Sequence, residues 1–257
     1  MASLSAIAEH LDHLLRTREI PDYPSALNGV QMESRGEIVK VAAAVDFSRR
    51  VVEAAIGGGS NLLLVHHGMF WGGLQPISGR LYDCIAPLVR HDVAVYSSHL
   101  PLDAHPELGN NVLLARELGL EPVGGFARYQ TIHVGVQGVA ELPTRVLIER
   151  ARRVAKRHAG DVIATPCDDS RLTRRWGICT GAGADASTIR EALESGIDTL
   201  VVGEGPHHTA VEAADLGLAI IYVGHYATET FGVRALADHV GRTFGLPWEF
   251  IEAPTGL

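Results

Sequence analysis

Short aliphatic runs alternate with helical patterns along the whole sequence. Residues 62–65, 198–203 and 219–224 are runs of strand length with almost no polar interruption, whereas the first 15 residues place apolar side chains three and four positions apart. Strands that are joined through helices form parallel sheets covered on both faces, and strands buried in this way have continuous apolar sequences. The sequence therefore predicts an α/β fold with mostly parallel sheets flanked by helices.

The patterns predict the following order of elements. Helices are expected at 4–15, after the capping residue Ser48, around 81–89, from Pro106 to Leu118, and at 144–158, 186–195, 208–216 and 229–244. Strands are expected at 38–45, 62–65, 93–98, 131–139, 161–165, 176–180, 198–203, 219–224 and 248–252. Residues 131–139 alternate with period two, which favours an antiparallel or edge strand. The Gly- and Pro-containing segment 120–126 predicts a boundary between two α/β lobes, 1–125 and 126–257.

Composition and charge exclude several classes of protein. The formal net charge of −8 lacks the basic face that nucleic-acid binding requires, and the one cationic stretch, 150–157, has the spacing of a solvated helix face. No apolar run reaches the length that a bilayer demands, and the N-terminus predicts an amphipathic helix instead of a signal peptide. The three cysteines form no CxxC pair, which favours a reducing cytoplasm over a disulfide or thiolate–zinc framework.

Three predicted strands are followed by residues of the types that bind metal ions. His66 and His67 follow the run 62–65, and His225 and Glu229 follow the run 219–224. The segment after the strand at 93–98 contains His99, Asp103 and His105. Ligands of open parallel sheets bind at the carboxyl ends of the strands. Nitrogen and carboxylate oxygen without sulfur suit zinc, iron or manganese.

The adjacent histidines indicate two ions. Consecutive side chains of an extended chain point to opposite sides, so His66 and His67 suit two ions on either side of the strand end. Glu229 is a candidate bridge between the ions, and Asp103 supplies a further carboxylate. Such a ligand set is typical of a pair of ions roughly 3.5–4 Å apart.

Each of these groups also has a structural explanation when it is taken alone. A histidine at a strand end is often only hydrogen-bonded, and Glu229 can stabilise the start of a helix. Asp103 is more telling, because Pro106 at the first helical position would make His105 the N-cap and leave Asp103 without a capping role. The convergence of three strand ends favours the metal site.

Five motifs carry a resemblance to a known family. The segments "HHGMFW" (66–71), "HLPLDAHPELGNN" (99–111), "GHYATETFGVRAL" (224–236), "NGVQ" (28–31) and "GEGPHHT" (203–209) resemble the Nif-three-like dinuclear-metal-centre family, whose members are named GTP cyclohydrolase I type 2 homologues in many genomes. The resemblance implies two interlinked lobes, a metal site between them to which the "GHYATE" segment returns, and a ring-shaped homo-hexamer.

The resemblance also assigns the ligands. It implies that His67 and Asp103 hold one ion, that His66 and His225 hold the other, and that Glu229 bridges both. Two departures from the family pattern lie within these motifs: "GEGPHHT", with His207 and His208, differs from the version of many bacterial members, and Thr230 stands where many members have arginine.

The expected activity is that of a metal-dependent hydrolase. Its substrate would be a nucleotide or a related small molecule, Glu229 would be both ligand and catalytic residue, and His99 and His105 would transfer protons or orient the ligands. Two alternatives remain open, namely a non-catalytic protein that carries metal or binds a metallocofactor, and a scaffold that the ions only stabilise.

Overall fold

The computed structural model describes residues 2–256. The helices are α1 (Leu4–Leu14), α2 (Arg49–Gly57), α3 (Gly79–Arg90), α4 (Leu100–Asp103), α5 (Asn110–Glu117), α6 (Thr144–Lys156), α7 (Ala186–Glu194), α8 (His207–Asp215) and α9 (His225–Phe244). The strands are β1 (Gly29–Met32), β2 (Val41–Asp46), β3 (Leu62–His67), β4 (Ala94–Ser97), β5 (Gly124–Tyr129), β6 (Ile132–Pro143), β7 (Ile163–Ala164), β8 (Leu172–Cys179), β9 (Thr199–Val202), β10 (Ala219–Tyr222) and β11 (Trp248–Phe250). Within this range, no helix combines the length and apolarity needed to cross a bilayer.

The chain divides into two compact units. The first unit consists of the residues up to His105 together with Gly232–Ala253, and the second consists of Pro106–Phe231 with the residues from Pro254. Segment 120–126, where the sequence suggests a boundary, lies within the second unit. Helix α9 belongs to the second unit up to Phe231 and to the first unit from Gly232.

The first unit contains a sheet with strand order β1-β4-β3-β2-β11. Strands β4, β3, β2 and β11 run parallel, and β1 is antiparallel to β4. A buried apolar core joins residues of β2, β3 and β4 to residues of α2 and α3, among them Val51, Leu63 and Leu88. Because β2, β3 and β4 are parallel, their carboxyl ends meet at one edge of the sheet, with His67 beside Asp46 and Val65 beside Ser97.

The second unit contains a mixed sheet with strand order β5-β6-β8-β9-β10-β7. Its centre, β8-β9-β10, is parallel as the sequence predicts. Both flanks are antiparallel. On one side, β5 and β6 form a hairpin that turns at Gln130, and β6 pairs antiparallel with β8. On the other side, the two-residue strand β7 pairs antiparallel with β10. The antiparallel interpretation of residues 131–139 is confirmed, whereas β5 was not predicted.

Among the predicted boundaries that are wrong, three concern candidate site residues. Strand β3 continues through His66 and His67, and α9 begins at His225, four residues before its predicted start. The helix predicted from Pro106 begins at Asn110 instead, so His105 is not its N-cap. A separate short helix, α4, with a proline in its first turn, ends at Asp103.

Candidate metal centre

Three histidines of the first unit form a compact cluster. His66, His67 and His99 each offer a ring nitrogen, and these nitrogens all lie within 4.8 Å of one another. His66 is fully buried, His99 is 9% exposed, and His67 is half-buried. The cluster forms because β3 and β4 are neighbours in the sheet, and their ends carry His66 and His67 on one strand and His99 just past the other.

The Nδ1 atom of each clustered histidine contacts an oxygen that accepts a hydrogen bond. The distances are 2.9 Å from His66 to the carbonyl of Ser98, 2.8 Å from His67 to Asp46, and 2.8 Å from His99 to Asp22. Because a carbonyl or carboxylate oxygen only accepts, each Nδ1 donates, and the lone pair of a neutral ring is then on Nε2. Histidines that bind metal ions in proteins have this arrangement.

Asp103 lies beside the same cluster. Its side chain is buried, and its Oδ2 atom is 3.4 Å from Nε2 of His66. The contact follows from the end of α4 at Asp103, four residues after His99. The first unit thus supplies three imidazoles and one carboxylate at one edge of its sheet. The assignment of Asp103 to the same ion as His67 stays a prediction.

Asn28 and Asp22 position the segment that contains His99. Asn28 accepts a hydrogen bond from the His99 backbone N–H and donates one to Asp22, both at 2.8 Å. Asp22 also accepts the Leu100 N–H at 2.9 Å. Burial raises the pKa of Asp22, but the hydrogen bond and charge of His99 and the other donors outweigh it and hold the pKa below its usual value. Asp22 is therefore a carboxylate at neutral pH.

Gln31 positions the segment that follows the two adjacent histidines. Its side chain accepts a hydrogen bond from the Met69 N–H at 2.7 Å and donates to the carbonyls of Ala26 and Leu27. A Cβ atom at residue 68 would collide with the Gln31 amide, so the close contact between Gln31 and the backbone at position 68 requires a glycine there. The two polar residues of the motif "NGVQ", Asn28 and Gln31, thus hold the segments that contain the candidate histidines.

The second unit supplies a histidine and a carboxylate from the first turns of α9. His225 Nε2 lies 3.1 Å from Glu229 Oε2, and His225 Nδ1 lies 2.8 Å from Glu204. Glu229 is 3% exposed. Burial lowers the pKa of His225, but the hydrogen bonds and charges of Glu229 and Glu204 outweigh burial and raise the pKa to about 9. The two residues are four positions apart on a helix and therefore face the same side.

A glycine turn closes over the Glu229 carboxylate. Gly181 has a φ of +62°, and a Cβ atom there would collide with the carboxylate of Glu229 and approach His225. Its N–H donates to Thr228 Oγ1 at 3.1 Å, and its carbonyl accepts the Glu204 N–H at 2.8 Å. The loop after β8 is thereby fixed against the start of α9.

Trp71 packs on the first-unit cluster edge-on. Its ring meets His99 at a centroid distance of 4.7 Å with an interplanar angle of 88°, and it meets His67 at 5.4 Å and 67°. Tyr23 lies near Trp71 and His99, with centroids 6.4 and 6.1 Å away. These apolar ring edges limit the movement of the two imidazoles.

The remaining candidates lie outside these groups or have other contacts. His105 is half-buried in the turn after α4 and, within residues 2–256, belongs to no group of three ligands close enough to share an ion. His207 and His208 are exposed at the start of α8. Thr230 is buried, and its hydroxyl donates to the carbonyl of Ala227 at 3.2 Å.

The donor chemistry fits a divalent cation of borderline softness. Each group combines imidazole nitrogen with carboxylate oxygen and contains no thiolate, and each histidine has its other nitrogen bound to an oxygen. Zinc, iron and manganese accept such ligands. The residues that sequence reasoning missed are the oxygen partners Asp22, Asp46, Ser98 and Glu204.

The fold and these ligand groups define an α/β protein of two units with residues able to bind a metal ion. The family model described as Duf34/NIF3 (NGG1p interacting factor 3) matches residues 2–255, and the chain belongs to this family. A relative from Deinococcus radiodurans, named "GTP cyclohydrolase 1 type 2 homolog", is 40% identical over 96% of this chain and 92% of its own length.

Solved structures resemble the chain over nearly its full length. The protein described as "Structural genomics, protein ybgI, unknown function" is 30% identical with a TM-score of 0.87, and the match covers 99% of this chain and all of that one. TTHA1606 from Thermus thermophilus is 35% identical with a TM-score of 0.84 and the same coverage.

Proposed function

We propose that this protein binds two divalent metal ions per subunit, zinc, iron or manganese, and is a metal-dependent hydrolase acting on a nucleotide or a related small molecule. One observation carries the proposal: the three histidines proposed as ligands, His66, His67 and His225, all have Nδ1 beside an oxygen acceptor. A histidine with a purely structural role does not need an oxygen acceptor at Nδ1, whereas a histidine that binds a metal ion needs one to fix its tautomer and ring orientation.

The proposed ligands are His66, His67, Asp103, His225 and Glu229, with Glu229 shared by the two ions as the family resemblance implies. The position of the buried carboxylates of Asp103 and Glu229 supports this role, because each lies within 3.4 Å of the Nε2 atom of a histidine proposed as a ligand. His99 and His105 are proposed as proton-transferring groups.

The name of the relatives makes GTP the first substrate to test. Divalent ions, when bound, polarise substrate bonds and activate water for attack. The residues of this chain orient the histidines: Asp22, Asp46 and Glu204 fix the tautomers of three of them, and Trp71 packs edge-on against His67 and His99. For GTP, the expected reaction opens the five-membered ring of the purine and releases formate.

The test measures metal content and formate together. Protein loaded with each metal in turn is incubated with GTP, and the same assay is run on Glu229→Gln and on the control Glu212→Gln, an exposed position of α8. We expect the first variant to lose more than about tenfold in metal affinity and in formate release, and the control to match the unsubstituted protein.

Other outcomes identify the alternatives. Equal turnover in both variants would remove the proposed role of Glu229. If GTP and other nucleotides give no product, and a chelator strips the ions rapidly, the protein is a metal carrier instead of a hydrolase. In His99→Gln, loss of turnover with full metal content would support proton transfer, while loss of metal would make His99 a ligand.

The proposal extends to assembly and location. By family resemblance we propose a homo-hexamer in the cytoplasm, with small molecules as ligands and neither nucleic acid nor membrane as partners; the net charge of −8 supports the exclusion of nucleic acid. Light scattering is expected to give about six times the chain mass of 27.5 kDa.

A further inference from the structure

A second pair of histidines lies in the first unit, away from the cluster of His66, His67 and His99. His10 is on α1 and His239 is in the last part of α9, and both are half-buried. Their Nε2 atoms are 2.8 Å apart, and the rings are nearly parallel, with an interplanar angle of 11° and centroids 5.1 Å apart.

The surroundings hold the pair in place and leave it open to solvent. The ring of Phe244 meets His10 edge-on at 5.5 Å and 86°. One face opens into a groove of about 930 Å³ that is lined in part by His10, Phe244, Glu9 and His13. His239 does not line this groove, so an ion reaches the pair from the side of His10.

We propose that His10 and His239 form a separate binding site for a borderline divalent cation such as zinc, nickel or cobalt, which joins α1 to the end of α9. Zinc–nitrogen bonds are about 2.0–2.1 Å long, so two nitrogens on one ion at angles of 90–109° are about 2.9–3.4 Å apart. The observed 2.8 Å is shorter by only a few tenths of an ångström, but each ring must also turn so that its lone pair points at the ion, because the centroid distance of 5.1 Å means that the two nitrogens face each other almost in line.

Proton positions permit this binding. Two neutral imidazoles at this distance share one hydrogen bond, Nε2–H to Nε2. When an ion binds both Nε2 atoms, the donor ring keeps its single proton on Nδ1 instead, so the neutral pair binds the cation by a change of tautomer and without net loss of a proton. Water occupies the remaining coordination positions.

Neighbouring side chains would have to change rotamer to add a third ligand, because within residues 2–256 no other His, Cys, Asp or Glu lies close enough to this pair to complete a group of three. Glu9 precedes His10, and His13 lies one helical turn further along α1; both are exposed and line the same groove. Two arginines, Arg16 and Arg18, also line this groove. Arg16 forms an ion pair with Glu19 at 2.5 Å, which offsets its repulsion of an incoming ion.

The test counts metal equivalents in full-length protein without an affinity tag. Zinc is titrated against a chromophoric chelator with the unsubstituted protein, with His10→Gln and His239→Gln, and with the control His91→Gln, an exposed histidine after α3. We expect each of the first two variants to bind one equivalent less than the unsubstituted protein, and His91→Gln to bind the same number.

Two further measurements locate the site. Crystals soaked in zinc should show anomalous scattering between the two Nε2 atoms, and Glu229→Gln should retain this equivalent even if the proposed dinuclear centre is lost. Equal equivalents in all variants whose circular dichroism is unchanged, together with no anomalous peak at this position, would overturn the proposal and leave the pair as a hydrogen bond between two helices.

Discussion

At the scale of single residues, the orientation of a ring determines what it can bind. Four histidines have Nδ1 fixed by an oxygen, so each can present only Nε2 to an ion. The acceptor also makes Nε2 a better electron donor, particularly when it is a carboxylate. Metal affinity should therefore depend on residues that never touch the ion.

Asp46→Asn tests this dependence. The substitution keeps the size of the side chain but replaces the carboxylate that accepts from His67 Nδ1, and we expect metal affinity to fall about 10–100-fold. Competition with a fluorescent chelator measures the change. Asp92→Asn is the matched control, because Asp92 accepts hydrogen bonds from the N–H groups of Arg35 and Gly36. An equal loss in both variants would refute a specific role for Asp46.

At the scale of elements, the caps decide how firmly the loops around the site are held. Helix α7 follows the Gly181 turn and begins after Asp185, whose side chain accepts hydrogen bonds from the Thr188 N–H and the Ser187 hydroxyl. Burial raises the pKa of Asp185, but the bonds from Ser187 and Thr188 outweigh burial and hold the pKa below its ordinary 3.8. The charged form therefore stabilises the fold.

Two substitutions of Asp185 distinguish the stability contributed by its capping hydrogen bonds from the stability contributed by its negative charge. Asp185→Ala is expected to lower the free energy of unfolding by about 1 kcal/mol, and Asp185→Asn, which still caps, by less. The difference between the unsubstituted protein and Asp185→Asn should be fully present from about one pH unit above 3.8 and shrink as pH falls toward the lowered pKa, below 3.8. Urea titrations from pH 3 to pH 7 measure it, and a difference that grows on acidification contradicts this account.

Much of the element order was predictable because burial on both faces leaves a strong apolar signal. Strands β3, β9 and β10 and helices α6 and α7 lie close to their predicted positions. Local signals failed where two of them competed: Pro106 suggested a helix start, but Pro101 already occupies the first turn of α4. The start of α9 was missed because Gly224, with a φ of +108°, lets the chain turn directly from β10 into the helix.

The candidate site was predictable in its residue types but not in its supports. His66, His67, His99 and Asp103 do lie together within the first unit. Their oxygen partners are distant in sequence, with Asp22 lying 77 residues before His99. Asp46 meets His67 only because β2 and β3 pair in a particular register, and register between parallel strands is not visible in one sequence.

At the scale of the whole molecule, candidate ligands occur in both units, and α9 contributes residues to both. Ligands that bind only the folded chain stabilise it by mass action. A chain of this design should therefore have a stability that depends on free metal concentration.

Metal removal tests this coupling. With free metal at about 100 times its Kd, binding adds about 2.7 kcal/mol to the free energy of unfolding, so chelation should lower Tm by roughly 5–10 °C. Calorimetry with and without chelator measures the shift, and Glu229→Gln should show a smaller one. An identical Tm with and without chelator would show that metal binding does not stabilise the folded chain.

His66 differs from the other three histidines because its partner is the main-chain oxygen of Ser98. No replacement of a side chain can delete that oxygen, so mutation can retune three of the imidazoles one at a time but not this one. An engineer who wished to change the preferred metal would do best to vary Asp22, Asp46 and Glu204 and to treat His66 as the fixed reference point.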